Sequence, residues 1–171
     1  VMGGWIYWCV WERRESPTAG RIMAATADAY DTAWSAPVEI GRCLHTSGDS
    51  AWPFIMTIEQ LSSDTLWAAW TQHDTAGWSV RYSRCVNGNW SPPEPAVVRP
   101  NSIRHARIGR GRTAAGQACP LLVWEEAGDI FYSQNAEGSW TAPQEVAHSD
   151  AMDRNPEVMS YCSMPLELGP W

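Results

Sequence analysis

Long apolar runs are missing from this chain of 171 residues. No stretch approaches the roughly 20 residues of a membrane-spanning helix. No basic segment followed by an apolar one marks a leader, although a start at Val1 leaves room for an upstream segment that has been removed. Helical periodicity is missing too, since no segment keeps apolar residues on one helical face for more than a turn or two. Positive charge is in deficit: 12 Lys and Arg face 19 Asp and Glu, a net charge of −7. An acidic surface repels phosphate backbones, which argues against nucleic acid as a partner, and nothing points to a membrane. The charge is otherwise what solubility asks of a surface.

Metal-binding patterns are also lacking. The cysteines are Cys9, Cys43, Cys85, Cys119 and Cys162, with no CxxC pair and no histidine cluster at ligand spacing. No metal and no cofactor is expected. An odd count leaves at least one thiol unpaired within the chain. Cys9 stands in an apolar run, where a thiol packs as a small hydrophobe. All five read as structural, in a reducing rather than an oxidising compartment.

Phenylalanine is scarce, with 2 residues against 12 tryptophans. The tryptophans mark a repeat. Leu121–Trp124 is a short apolar run with the composition of a buried strand. Glu125–Asp129 breaks it with charge and a glycine, and Asp129–Ser133 alternates as a second strand. Asn135-Ala136-Glu137-Gly138 is a turn in which Gly138 supplies positive φ. Trp140 then heads an edge strand that soon meets Pro143. The pattern recurs at Leu66–Trp70, Trp78–Ser83 and Trp90-Ser91-Pro92-Pro93. It recurs again at Trp5–Trp11, Arg21–Thr26 and Trp34-Ser35-Ala36-Pro37. Trp11, Trp70 and Trp124 end the apolar strand, and Trp34, Trp90 and Trp140 follow the turn. They stand roughly 50 to 60 residues apart, a period that marks solenoids, propellers or arrays.

A further strand candidate precedes each apolar strand: Pro53–Glu59, Arg104–Ile108 and Pro156–Tyr161. Four strands per unit describe the blade of a β-propeller. The expected fold is therefore all-β, one propeller domain over 1–171. Its repeats run over about 1–52, 53–103 and 104–155, with 156–171 completing a blade. Three four-stranded blades are too few to close a ring, because propellers use about four to eight. The first blade lacks a first strand, and Pro156–Tyr161 is a first strand without a blade. Two chains exchanging this strand would pair it against Trp5–Trp11 of the partner. The expectation is a homodimer that closes a six-bladed ring about a two-fold axis.

The repeat resembles the sialidase-like propellers with Asp-box (BNR) repeats, whose box reads Ser/Thr-x-Asp-x-Gly-x-Thr-Trp. Ser133–Trp140 matches at Ser133 and Trp140 and loosely at Asn135 and Ser139. Ser83–Trp90 keeps Ser83, Gly88 and Trp90, with Cys85 at the Asp position. Thr26–Trp34 carries an extra residue. The resemblance implies a structural box on the face opposite the ligand. It puts the binding face on loops leading into first strands (Cys43–Trp52, Pro95–Ile103, Ala147–Asn155). Loops between second and third strands complete that face (Glu12–Gly20, Thr71–Gly77, Glu125–Gly128).

Sialidases of this kind use three arginines, a Tyr–Glu pair and an Asp. Arg104 and Arg154 stand before first strands, and Trp52 holds the equivalent place in the other blade. Glu12, Asp74, Glu125 and Glu126 lie in loops suited to carboxylate chemistry. No tyrosine falls at a binding-face position. The leading expectation is thus a non-catalytic module binding carbohydrate or another small polar ligand. Its candidate contacts are Trp52, Arg104, Arg154, Glu12, Asp74 and Glu125, with Trp52 as a stacking surface. A sialidase-like glycoside hydrolase and a protein-interaction scaffold are the alternatives.

Overall fold

The computed structural model describes residues 6–28, 33–44, 56–62, 65–147, 153–156 and 158, with backbone alone for 56–62 and 147. They form three antiparallel sheets and no helix. The first sheet is β1 (Ile6–Ser16), β2 (Ala19–Asp28) and β3 (Val38–Leu44), paired in that order. The second holds β4 (Met56–Ser62), β5 (Thr65–Asp74), β6 (Gly77–Val86), the two-residue β7 (Asn89–Trp90) and β8 (Glu94–Arg99). The third holds β9 (Ile103–Arg112), β10 (Ala118–Glu126), β11 (Asp129–Ala136), the two-residue β12 (Ser139–Trp140) and β13 (Gln144–Ala147). In each of the last two sheets the third strand pairs with the second strand, with the short strand at one end and with the outer strand at the other.

The repeat holds at the level of single bonds. Ser35, Ser91 and Thr141 each follow a repeat tryptophan, and each backbone N–H donates to the carbonyl of Thr26, Arg84 or Gln134 at 2.7, 2.8 and 2.9 Å. Their hydroxyls accept from the backbone N–H of the same three residues, at 3.0 Å in every copy. In the second and third copies a buried serine adds another bond. Ser83 Oγ donates to the Ser91 carbonyl at 2.7 Å and Ser133 Oγ to the Thr141 carbonyl at 2.8 Å. A bulge also recurs where the third strand meets the outer one, at Ile22/Met23, Val80/Arg81 and Ile130/Phe131.

The outer strand begins after the prolines, not at the tryptophan that precedes them. Proline brings no N–H to a ladder. The chain therefore leaves the sheet at Pro92-Pro93 and re-pairs as β8, leaving β7 as a two-residue stub. The turn at Glu137-Gly138 has φ of 56° and 87°, so Gly138 does take the left-handed conformation expected of it. The first strand of the third repeat is longer than Arg104–Ile108. Gly109 and Gly111 fall inside β9, and Gly109 lies against Val158, where a Cβ would collide. Of Pro156–Tyr161, only residues 156 and 158 are described, and Trp5 and Trp52 lie outside the described residues.

Two clusters hold the sheets together. Between the first and second lie Ile22, Ala24, Ile40, Cys43, Ala68 and Trp70. Trp70 is fully buried, and a Cβ at Gly41 would sit 2.6 Å from its Cζ2, so glycine permits the approach. Between the second and third lie Trp67, Ala69, Val80, Tyr82 and Val97 on one side, with Ile103, Ile108, Leu122 and Trp124 on the other. Because side chains alternate along a strand, β5 gives Trp70 to one neighbour and Trp67 to the other.

Candidate functional site

The turns that join second to third strands, at 17–18, 75–76 and 127–128, define one rim of the repeat. Asp74 and Glu125 lie beside this rim in their sheets, whereas Glu12 pairs with Ile22, several residues back from its turn. The three are not in loops as expected: Glu12 lies in β1, Asp74 ends β5 and Glu125 lies in β10. Arg104 likewise lies within β9. The strands run further toward the rim than charge alone suggested, because antiparallel pairing continues through polar residues once the turn closes.

Glu12 is engaged inside its own sheet. It leans over Gly20, and its Oε1 lies 3.6 Å from Cys43 Sγ and 4.0 Å from Arg14 Nε. Burial first, then the charge and hydrogen bond of Glu12, push the Cys43 thiol up to about 12. Asp74 shapes the next turn. Its Oδ1 accepts the Ala76 N–H at 2.8 Å and its Oδ2 accepts Gln72 Nε2 at 2.5 Å. These two bonds, the backbone one first, hold its carboxyl below the usual range. Beside it, His73 and Trp78 stack at 4.4 Å and 10°.

The third sheet is different. Glu126 is 1% exposed and bonded through both oxygens. Arg99 Nε donates to Oε2 at 2.7 Å, Trp124 Nε1 to Oε2 at 3.3 Å, and Asn101 Nδ2 to Oε1 at 3.1 Å. Arg99 also lies 5.7 Å from the Phe131 ring centroid. This cluster joins the second and third sheets and uses all the carboxylate's charge internally. Sequence reasoning passed over Arg99 and Asn101. The available signal was an arginine ending a β-branched strand, within a loop already assigned to the rim.

Glu125 points to the opposite face of β10. It is 6% exposed, and its Oε2 has no hydrogen-bond partner among the described residues. Its cross-strand partner is Arg104. Next to Arg104 the ladder is interrupted: Val123 pairs with Arg107 and Glu125 with Arg104, so His105 and Ala106 bulge opposite Trp124. His105 has φ of 49°, an uncommon conformation for a residue with a Cβ. At the equivalent Trp70 the pairing with Met56 is direct. The bulge is thus a departure from the repeat, and such departures gather where a side chain is re-aimed. The segment bearing Arg154 comes to the same end, since the Asp153 N–H donates to the Gly128 carbonyl at 2.8 Å. Arg154 itself is exposed.

The fold therefore gathers Glu125, Arg104 and the Arg154 segment at one end of the third sheet. It leaves Glu12 and Asp74 to other sheets. No group of three or more His, Cys, Asp or Glu able to hold a metal occurs among the described residues.

No protein-family model matches the chain. No curated protein matches it either. Among solved structures, the α-L-arabinanase of Penicillium chrysogenum complexed with arabinobiose is similar, with a TM-score of 0.57 over 84% of this chain at 13% identity. The chain spans 46% of that structure's length. A likeness at that identity speaks for the fold alone: three antiparallel sheets arranged as in a β-propeller, without singling out the Asp-box propellers.

Proposed function

We propose that this chain is a carbohydrate-binding part of a β-propeller, taking a sugar at the rim of the third sheet. One observation carries the reading: the buried Oε2 of Glu125, without a partner among the described residues, beside Arg104 and a strained bulge. A buried acceptor left unpaired costs about 1–3 kcal/mol. An external donor removes that cost, and vicinal sugar hydroxyls are donors that also accept from a guanidinium. The structural neighbour was solved with arabinobiose, which makes arabino-oligosaccharides the first ligands to test. Binding without turnover is favoured because Glu125 and Glu126 face opposite sides of β10, and Glu126 is already committed to Arg99 and Asn101. A glycan array, followed by calorimetry on the bound sugars, tests the reading. Glu125→Gln should weaken binding about tenfold, or ~1.4 kcal/mol. Silence across the array, or unchanged affinity in that variant, would refute it. Release of sugar from chromogenic arabinosides would move the assignment to a hydrolase.

We also propose that the flank of β1 left unpaired among the described residues is covered by strand 156–161 of a second copy. β5 and β10 have β4 and β9 on the equivalent flank. The segment from 156 follows β13 as β9 follows β8, and Val158 lies against Gly109 of β9. Light scattering tests this: a folded monomer of 19.0 kDa excludes the homodimer.

A further inference from the structure

A second place departs from the repeat, between the outer parts of the first and second sheets. Residues just after the shared bulge are Met23 in β2, Arg81 in β6 and Phe131 in β11. Two of the three copies place an apolar side chain there. The second places a guanidinium. Arg81 lines an open groove of about 640 Å³ together with Glu39 and Arg42 of β3, Gln72 of β5, Trp90 and Pro93. Such a volume suits a small ligand.

The charges in the groove are unequally used. Glu39 is held within the first sheet, accepting from Arg21 Nη1 at 3.0 Å and Arg42 Nε at 3.3 Å. Arg81 Nε is buried and has no hydrogen-bond partner among the described residues. The side of a guanidinium that presents Nε–H and one Nη–H in parallel is the side that grips a carboxylate through both oxygens. Lying between sheets, that fork is partly shielded from water, which strengthens its pull on an anion. Trp90 supplies a flat apolar wall and is itself braced edge-on by Trp8, with ring centroids 5.6 Å apart.

We propose that this groove binds a small organic carboxylate with a ring, its carboxylate on Arg81 and its ring against Trp90. The site is separate from the rim of the third sheet and does not depend on sugar binding there. Glucuronate and its neutral isostere glucuronamide are the probes, titrated calorimetrically into the 171-residue chain. Glucuronate should bind at least tenfold more tightly than glucuronamide, and added salt should narrow the gap. Arg81→Gln should abolish the difference, while Arg112→Gln, in the third sheet and outside the groove, should leave it intact. A readout needing no variant is the melting temperature, which glucuronate should raise and glucuronamide should not. Equal binding of both probes, binding of neither, or a preference that survives Arg81→Gln would each overturn the proposal.

Discussion

Strands β1 and β5 occupy the same place in the repeat and have the same apolar character, yet they are buried very differently. From Leu66 to Gln72, every residue of β5 is buried. In β1, Ile6 and Tyr7 are both 59% exposed, and Trp11 is only half-buried where Trp70 is fully covered. The difference lies in what surrounds each strand. β5 has β4 on its flank and sheets on both faces, whereas β1 has only β2 beside it in the sheet among the described residues. Apolar sequence makes a strand eligible for a core, and neighbours decide whether one forms. Tryptophan spacing therefore predicted the repeat but not the burial.

The comparison breaks most sharply at the tryptophans. Trp70→Ala should destabilise the chain by about 3–5 kcal/mol, the cost of emptying a large buried site. Trp11→Ala should cost about 1 kcal/mol, as expected of a half-buried side chain. Urea unfolding measures both. Equal losses would mean that β1 is covered in solution, as strand exchange requires. Carboxylates sharpen the contrast. Glu126→Ala leaves Arg99 and Asn101 without their shared acceptor and should cost about 3–5 kcal/mol. Glu12→Ala removes a contact with Arg14 that is long and partly exposed, worth about 1 kcal/mol or less.

Thiols give the finest test. Cys9, exposed on β1, should react rapidly with a disulfide reagent at pH 8, while Cys85 and Cys119 in the covered sheets should react slowly. Cys9→Ser should remove a fast phase. Cys43 adds a pH signature. Its folded pKa lies near 12, against 9.0 for an ordinary thiol. Its contribution is fully present below pH 9 and lost as pH rises toward 12, because the unfolded thiol ionises first. Stability should fall through that window, and Cys43→Ala should flatten the fall.

Much of the fold was legible because it rests on signals a chain cannot hide. Trp34, Trp90 and Trp140 mark register, and Gly138 marks a turn. The outer strands were displaced because Pro92-Pro93 reads as a strand's end, whereas the ladder resumes on its far side. The hydroxyls of Ser35, Ser91 and Thr141 were invisible as a motif, since serine and threonine are common and only pairing geometry gives them a common task. At the candidate site, Arg104 and Glu125 were each proposed from residue type and position. Their juxtaposition was not, because it depends on a bulge at His105 and Ala106 that no composition announces. The tie from Glu126 to Arg99 was missed for a similar reason: it joins residues 27 apart in sequence.

The order of strands has a consequence for how the molecule is made. Within each sheet, each main strand pairs with its predecessor, apart from the two-residue stubs β7 and β12. Among the described strands, none pairs with a strand of another sheet. During synthesis, a sheet can close as soon as its own last strand leaves the ribosome, while the next is still being translated. The molecule is then assembled from its first sheet to its third, with Trp70 and Trp124 locking each new sheet onto the one before.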